Sequence, residues 1–251
     1  MSGEASSRAE ITLPAAQQAL VEALAATGKP LVVLLRNGRA MALEGAVRDA
    51  SAILVTWFLG TESGHAIADV VFGDKSPSGR LPVTFPIASG QQPYYYARES
   101  SGRPPAPGTT HMFQSHFIGI PDDALYPFGH GLTYSQITYS SVTLDKREVK
   151  QGEAVTASVT VTNTGKRAAT EVVQCYIQDR FASVVQPVQK LTGFNKITLA
   201  AGESRLISFT IKPQQMTFIA RDLSQQLESG EFRVWIAPSA RTGEAVSFIL
   251  S

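Results

Sequence analysis

The chain has 251 residues, 43% of them hydrophobic, which is enough to fill the core of one large or two ordinary domains. Its formal net charge of +1 supplies no strong field of one sign, which argues against a nucleic acid or a membrane surface as partner. The single cysteine, Cys175, excludes an internal disulfide and a cysteine-based zinc site. Composition therefore excludes several classes of partner but does not indicate a function.

The first part of the chain alternates between helix and strand patterns. Residues 14–26 predict a helix, with a proline in its first turn and a glycine after its end, and the apolar run 30–35 is typical of a buried parallel strand. A weak helix is predicted over residues 42–50 and a second buried strand over residues 51–58. Strands that alternate with helices imply βαβ crossovers and a mainly parallel sheet.

The stretch 57–86 continues this pattern through a strand-to-helix turn. Gly60 and Gly64 open the turn, and apolar residues at helical spacing then predict a helix that ends near Gly73. Apolar residues alternate over residues 81–85, which predicts a short strand. From its residues alone, the stretch is one β-loop-α-loop-β unit.

The rest of the chain has a different pattern. Residues 90–123 are rich in Pro, Gly, Ser and Tyr and show little periodicity, so we predict a long loop, and loops of this length are usually functional or disordered. From about Tyr134 onward, short alternating segments are separated by turns such as residues 163–165. Short strands at this spacing predict a β-sandwich of about a hundred residues.

Three segments carry sequence motifs of a known enzyme family. Residues 57–86, WFLGTESGHAIADVVFGDKSPSGRLPVTFP, closely resemble part of the second domain of the family 3 glycoside hydrolases, the family of the bacterial β-glucosidases. Residues 125–134, LYPFGHGLTY, resemble the link between their second and third domains. Residues 3–8, GEASSR, are similar to their Gly-Glu-x-x-(Ser/Asp)-Arg segment.

The resemblance covers nearly all of this chain and implies its domain organisation. It predicts an α/β plus all-β fold class: an incomplete α/β sandwich domain over residues 1–133, which includes the loop 90–123, and a fibronectin type III-like β-sandwich over residues 134–251. This chain corresponds to about the last third of a typical family member, and it lacks the first strands of the second domain. A sheet that lacks strands exposes an edge, so we also expect homo-oligomers.

The best candidate catalytic residue is Glu4. In family 3 the matching glutamate is the general acid/base, which protonates the leaving glycosidic oxygen and later deprotonates a water. A solvated terminal glutamate is the alternative interpretation. A retaining glycosidase also needs a nucleophile about 5–5.5 Å from the acid/base, and in family 3 this is an aspartate of an N-terminal (β/α)8 barrel. The resemblance therefore implies that the acid/base is present and that the barrel with its nucleophile is absent from this chain.

Three further residues are weaker candidates for substrate binding. Glu62 and His65 could reach a substrate from the loop at the carboxyl end of a strand, although capping and packing of the helix are commoner roles. Trp57 could stack on a sugar ring or belong to the core or its rim. His111 and His116 make a poor metal site without a carboxylate partner. We expect neither a metal nor a cofactor.

The function predicted from these features is the C-terminal part of a retaining, exo-acting β-glucosidase that hydrolyses terminal β-linked glucose. Its substrate would be a β-glucoside or oligosaccharide, and its partner an N-terminal barrel domain or chain, without which the isolated chain is predicted to be inactive. The alternative is a non-catalytic module that binds carbohydrate or acts with a partner chain. The resemblance implies a periplasmic or secreted protein, whereas MSGEASSRAE lacks the basic-then-apolar layout of a signal peptide.

Overall fold

The computed structural model describes residues 5–104, 113–241 and 243–251. The chain divides into two compact units. Unit 1 comprises Met1–Asp74, Val83–Tyr94 and His116–Tyr126, and unit 2 comprises Lys75–Pro82, Tyr95–Ser115 and Pro127–Ser251. These units are groups of residues in contact, and the domain boundary at residues 133/134 stays a prediction.

Unit 1 contains the predicted alternation of helices and strands. In order along the chain the elements are α1 (Ala15–Ala25), β1 (Val32–Leu35), α2 (Gly45–Arg48), β2 (Ala52–Val55), α3 (Ser63–Val71) and a 3-10 turn (Ser89–Gln91). Strands β1 and β2 pair in parallel, with Val32 opposite Ala52 and Leu35 opposite Val55. A parallel pair needs a crossover connection, and α2 lies within it. No helix in the described part of the chain has the length and apolar character needed to span a bilayer.

The strand predicted over residues 81–85 is wrong. The described backbone there forms one antiparallel bridge, in which the Phe85 N–H donates to the Tyr126 carbonyl at 2.8 Å and the Tyr126 N–H donates back at 3.2 Å. Pro82 and Pro86 lack the N–H groups that would continue a ladder. Of the alternating apolar side chains Phe85 is buried but Val83 is 40% exposed, so the alternation marks neither sheet pairing nor one buried face.

Unit 2 contains a sandwich of two mainly antiparallel sheets, as the alternating segments predicted. Its strands and its short helix α4 are β3 (Ile137–Tyr139), β4 (Thr143–Leu144), β5 (Glu148–Val149), β6 (Val155–Asn163), β7 (Ala169–Asp179), β8 (Lys190–Leu199), β9 (Ser204–Ile211), α4 (Pro213–Met216), β10 (Phe218–Ile219), β11 (Gln225–Gln226), β12 (Gly230–Ala237) and β13 (Val246–Leu250). A five-stranded sheet has the order β5-β13-β12-β7-β8, in which β5 and β13 pair in parallel. In the second sheet β6 pairs with β3, β4 and β9.

The core of the sandwich lies between its two sheets. Along β6 every second residue is buried, from Val155 to Asn163, while the residues between them are partly exposed. From the other sheet, Phe232 and Phe248 stack with ring centroids 5.4 Å apart. This is the period-2 pattern of strands with one face in a core.

A second apolar cluster in unit 2 includes part of the predicted long loop. Tyr176 and Trp235 are buried and pack with Tyr96 and Phe128. The Tyr96 ring stacks on Phe128 with centroids 4.2 Å apart and meets Tyr176 edge-on. The Val188 N–H also donates to the Arg98 carbonyl at 2.9 Å. The aromatic residues of the loop therefore include ones that pack against the sandwich.

We expect the isolated chain to associate through β1 and β2. Parallel strands are normally covered on both faces, yet Val32 and Leu34, which share one face, are 50% and 45% exposed. Replacing both with lysine should lower the weight-average sedimentation coefficient at high protein concentration, because lysine opposes strand and apolar association. The matched control is Phe194→Lys, another exposed apolar site (64%). A wild-type chain that stays monomeric would contradict the expectation.

Candidate functional site

The carboxyl ends of β1 and β2 lie side by side and form a polar edge of unit 1. Thr56, after β2, donates its N–H (3.0 Å) and its hydroxyl (3.3 Å) to the carbonyl of Leu35, the last residue of β1. Asn37 is buried, and its side-chain nitrogen donates to the Arg39 carbonyl at 2.6 Å. Its Oδ1 atom is a buried acceptor without a partner among the described residues. Ligands of open α/β sheets bind at this end of the strands, so the edge is the candidate site.

Trp57 lies at this edge, half-buried, directly after Thr56. Its φ of +52° is in the left-handed region, which is strained for a bulky side chain and is concentrated at functional sites. The indole meets the ring of buried Phe85 edge-on, with centroids 6.1 Å apart, and Phe85 meets Tyr126 in the same way at 6.3 Å. Trp57 therefore lies at the rim of the core, and a role of its ring in stacking on a sugar stays a prediction.

Glu62 and His65 lie at the start of α3 and bind each other. Glu62 Oε2 and His65 Nδ1 are 2.7 Å apart, and the two side chains are 79% and 89% exposed. Glu62 occupies the N-cap position, but its side chain makes no capping hydrogen bond. A polar contact this exposed contributes little to stability. A role of either residue in substrate binding stays a prediction.

Glu4 lies outside the described residues, but the segment that follows it is described. The Arg39 Nη1 atom donates to Ser7 Oγ at 3.2 Å and to the Arg8 carbonyl at 3.3 Å. Arg39 comes two residues after Asn37, so it connects this segment to the carboxyl end of β1. Arg39 is not among the site residues predicted from the sequence. The pattern that could have indicated it is a basic residue directly after a predicted strand and turn.

No cluster of three His, Cys, Asp or Glu side chains among the described residues could hold a metal ion, and His111 lies outside them. Burial within β7 raises the pKa of Cys175 to about 12, so its thiol is protonated and unreactive at neutral pH. Burial, together with the charges of Arg241 and Arg80, lowers the pKa of His130, which keeps this histidine neutral.

Comparison with known proteins assigns the family. Residues 1–134 match the model of the glycosyl hydrolase family 3 C-terminal domain, and residues 171–240 match that of the fibronectin type III-like domain. The chain belongs to glycosyl hydrolase family 3. The predicted family and the predicted α/β plus all-β fold class of this family 3 chain are thereby confirmed.

The relatives of this family 3 chain are considerably longer than it is. It is 47% identical to the periplasmic beta-glucosidase of Salmonella typhimurium, over 100% of this chain and 33% of that protein. It is 32% identical to the thermostable beta-glucosidase B of Acetivibrio thermocellus, over 93% of this chain and 31% of that protein. The crystal structure of a beta-glucosidase from Listeria innocua in complex with glucose matches with a TM-score of 0.94 and 36% identity, over 99% of this chain and 35% of that one. The chain thus spans about a third of the length of these relatives.

Of the site residues predicted for this family 3 chain, the three that are described fall into two groups, whereas Glu4 lies outside the described residues. One is the edge after β1 and β2, with Trp57 and the segment bound by Arg39. The other is the exposed pair of Glu62 and His65 at the start of α3. The hydrogen bonds and ring contacts described above join residues within each group and none between the groups.

Proposed function

We propose that this chain is the C-terminal part of a retaining, exo-acting β-glucosidase that hydrolyses terminal β-linked glucose. In this proposal a preceding barrel domain, or a separate barrel chain, carries the nucleophile. The observation that carries the proposal is the match over the whole chain to proteins described as beta-glucosidases, of which it spans about a third. The periplasmic relative supports a periplasmic or secreted location.

Glu4 is the proposed acid/base. Retaining hydrolysis first protonates the glycosidic oxygen while the nucleophile attacks the sugar, and the same carboxylate then takes a proton from the water that releases glucose. No step needs a cofactor. The hydrogen bonds from Arg39 to Ser7 and Arg8 support this role, because they hold the neighbouring backbone at the end of the parallel strands.

Trp57 is proposed as a surface for the sugar. Its strained backbone and its position at the carboxyl edge of β2 favour a role beyond packing. An indole supported from one side by Phe85 can stack on the apolar face of a sugar ring. Glu62 and His65 are proposed as secondary contacts, supported only by their place after the same strand.

The proposal is tested by adding the barrel. We expect the isolated chain to show no turnover of an aryl β-glucoside above background, because one carboxylate cannot perform both roles. The same chain joined to, or co-expressed with, a family 3 barrel should release β-glucose, which NMR spectroscopy can follow before mutarotation. Burst kinetics from the isolated chain would instead reveal a nucleophile within these residues. An inactive but well-folded assembly would favour the non-catalytic module.

A further inference from the structure

A groove on the sandwich lies between the turn of the β10–β11 hairpin and the loop after β7. It has a volume of about 460 Å³ and is lined by Ser183, Ala220, Arg221, Asp222 and Gln226. The groove is shallow and open to solvent, so a ligand would lie across it and would not be enclosed by it. The groove belongs entirely to unit 2, whereas Trp57 belongs to unit 1.

Three of the polar side chains that line the groove, those of Ser183, Asp222 and Gln226, are held in place by their neighbours. Asp222 Oδ1 accepts hydrogen bonds from the N–H (3.0 Å) and the hydroxyl (2.6 Å) of Ser224, which lower the pKa of this carboxyl. Gln226 Nε2 donates to the same Ser224 hydroxyl at 3.0 Å. Ser183 is fixed by Glu228, which accepts from its N–H at 2.8 Å and from its hydroxyl at 2.5 Å. Fixed polar groups lose little freedom when a ligand binds.

Two exposed apolar side chains come from the segments that line the groove. Leu223 is 83% exposed and has a φ of +65°, a left-handed conformation in which leucine is strained and glycine or asparagine would be relaxed. Phe181 is 70% exposed, and the Arg180 guanidinium lies 5.1 Å from the centre of its ring. A strained turn that presents a leucine to water suggests a function for that surface.

We infer that this groove binds a neutral glucan chain. A sugar offers adjacent hydroxyl groups that can pair with carboxylate, guanidinium, amide and hydroxyl side chains, and an apolar face that can lie on Phe181 or Leu223. Arg221 and Asp222 carry opposite charges on neighbouring residues, which favours a neutral ligand over a phosphate or an acidic peptide. The choice of a glucan rests on the proposed function, since a subunit of a β-glucosidase meets such chains.

The test is native electrophoresis of the 251-residue chain in gels that contain a soluble mixed-linkage β-glucan. The glucan should retard the wild-type chain, and the dependence of its mobility on glucan concentration gives a Kd. Arg221→Ala and Phe181→Ala should each raise this Kd about tenfold, because each removes one main contact. The matched controls are Lys212→Ala and Phe194→Ala, which remove an exposed cation and an exposed phenylalanine elsewhere on the sandwich and should leave it unchanged.

Each outcome separates this inference from the proposed function. No retardation of the wild-type chain overturns the glucan site, and so does equal retardation of all four variants, which would place binding elsewhere. Thermal unfolding of each variant shows whether a loss of glucan binding is caused by a loss of folded protein. The two control variants must bind the glucan with the wild-type Kd, and a raised Kd in either control would also overturn the assignment to the groove. The measurement involves no turnover. A chain that binds glucan but forms no active assembly with a barrel would refute only the proposed function.

Discussion

Replacing Glu4 with alanine in the barrel-containing enzyme is expected to slow the hydrolysis of a glucose disaccharide by about 10²–10⁴-fold, the usual contribution of a general acid/base. With aryl glucosides that have good leaving groups, the rate of the first step, formation of the glycosyl-enzyme, should fall far less, because their leaving oxygen needs little protonation. Their deglycosylation should then limit the rate. The measurement is the rate constant of each step as a function of the leaving-group pKa.

Azide makes this experiment specific for an acid/base. A small anion can attack the glycosyl-enzyme without general base help, so azide should restore turnover of the Glu4→Ala enzyme and yield a β-glycosyl azide. The matched control is Glu44→Ala, since Glu44 is an exposed carboxylate of the same unit whose side chain makes no capping hydrogen bond. If Glu4→Ala behaves like this control, the assignment of the acid/base is wrong.

The largest effect on stability is expected at the ion pair between Arg80 and Glu171 in unit 2. Arg80 Nη2 donates to Glu171 Oε2 at 2.8 Å, and the two side chains are only 7% and 4% exposed. The Tyr139 hydroxyl donates to Glu171 Oε1 at 3.1 Å, and burial raises the pKa of this phenol, so it remains a donor at neutral pH. Arg80→Met leaves the carboxylate buried without its cation, which should lower the free energy of unfolding by about 3–5 kcal/mol.

A double-mutant cycle identifies the pair as the cause. Glu171→Leu should be about as damaging as Arg80→Met, whereas the double variant should recover much of the loss, because it leaves no buried charge without a partner. Urea unfolding can be followed through Trp235 in a Trp57→Phe background, where Trp235 is the only tryptophan. The exposed pair of Arg48 and Asp49 is the matched control, and Arg48→Met should leave the Trp235 transition unchanged. Additive losses in the double variant would contradict the expectation.

Local patterns in the sequence determined which elements this chain forms. Helices and parallel strands alternate up to α3, and β6 buries every second residue, because the periods of 3.6 and 2 follow directly from backbone geometry. The family could also be predicted, since its motifs are continuous stretches such as residues 57–86. Glu4 was predicted from such a motif, by resemblance and not by geometry, and its role stays a prediction.

Only the tertiary structure shows which distant segments of the chain contact each other. Arg80 and Glu171 are separated by 91 residues, and Arg39 contacts a segment 31 residues before it. Residues 81–85 also depend on a distant segment. Their alternation predicted a strand, but two prolines limit the backbone hydrogen bonding to a single bridge between Phe85 and Tyr126. The ring contacts of Trp57 with Phe85 and of Tyr96 with Phe128 likewise join residues that are far apart along the chain. Periodicity specifies which face of an element is buried, whereas the partner that covers it is selected by packing and hydrogen bonding across the whole fold.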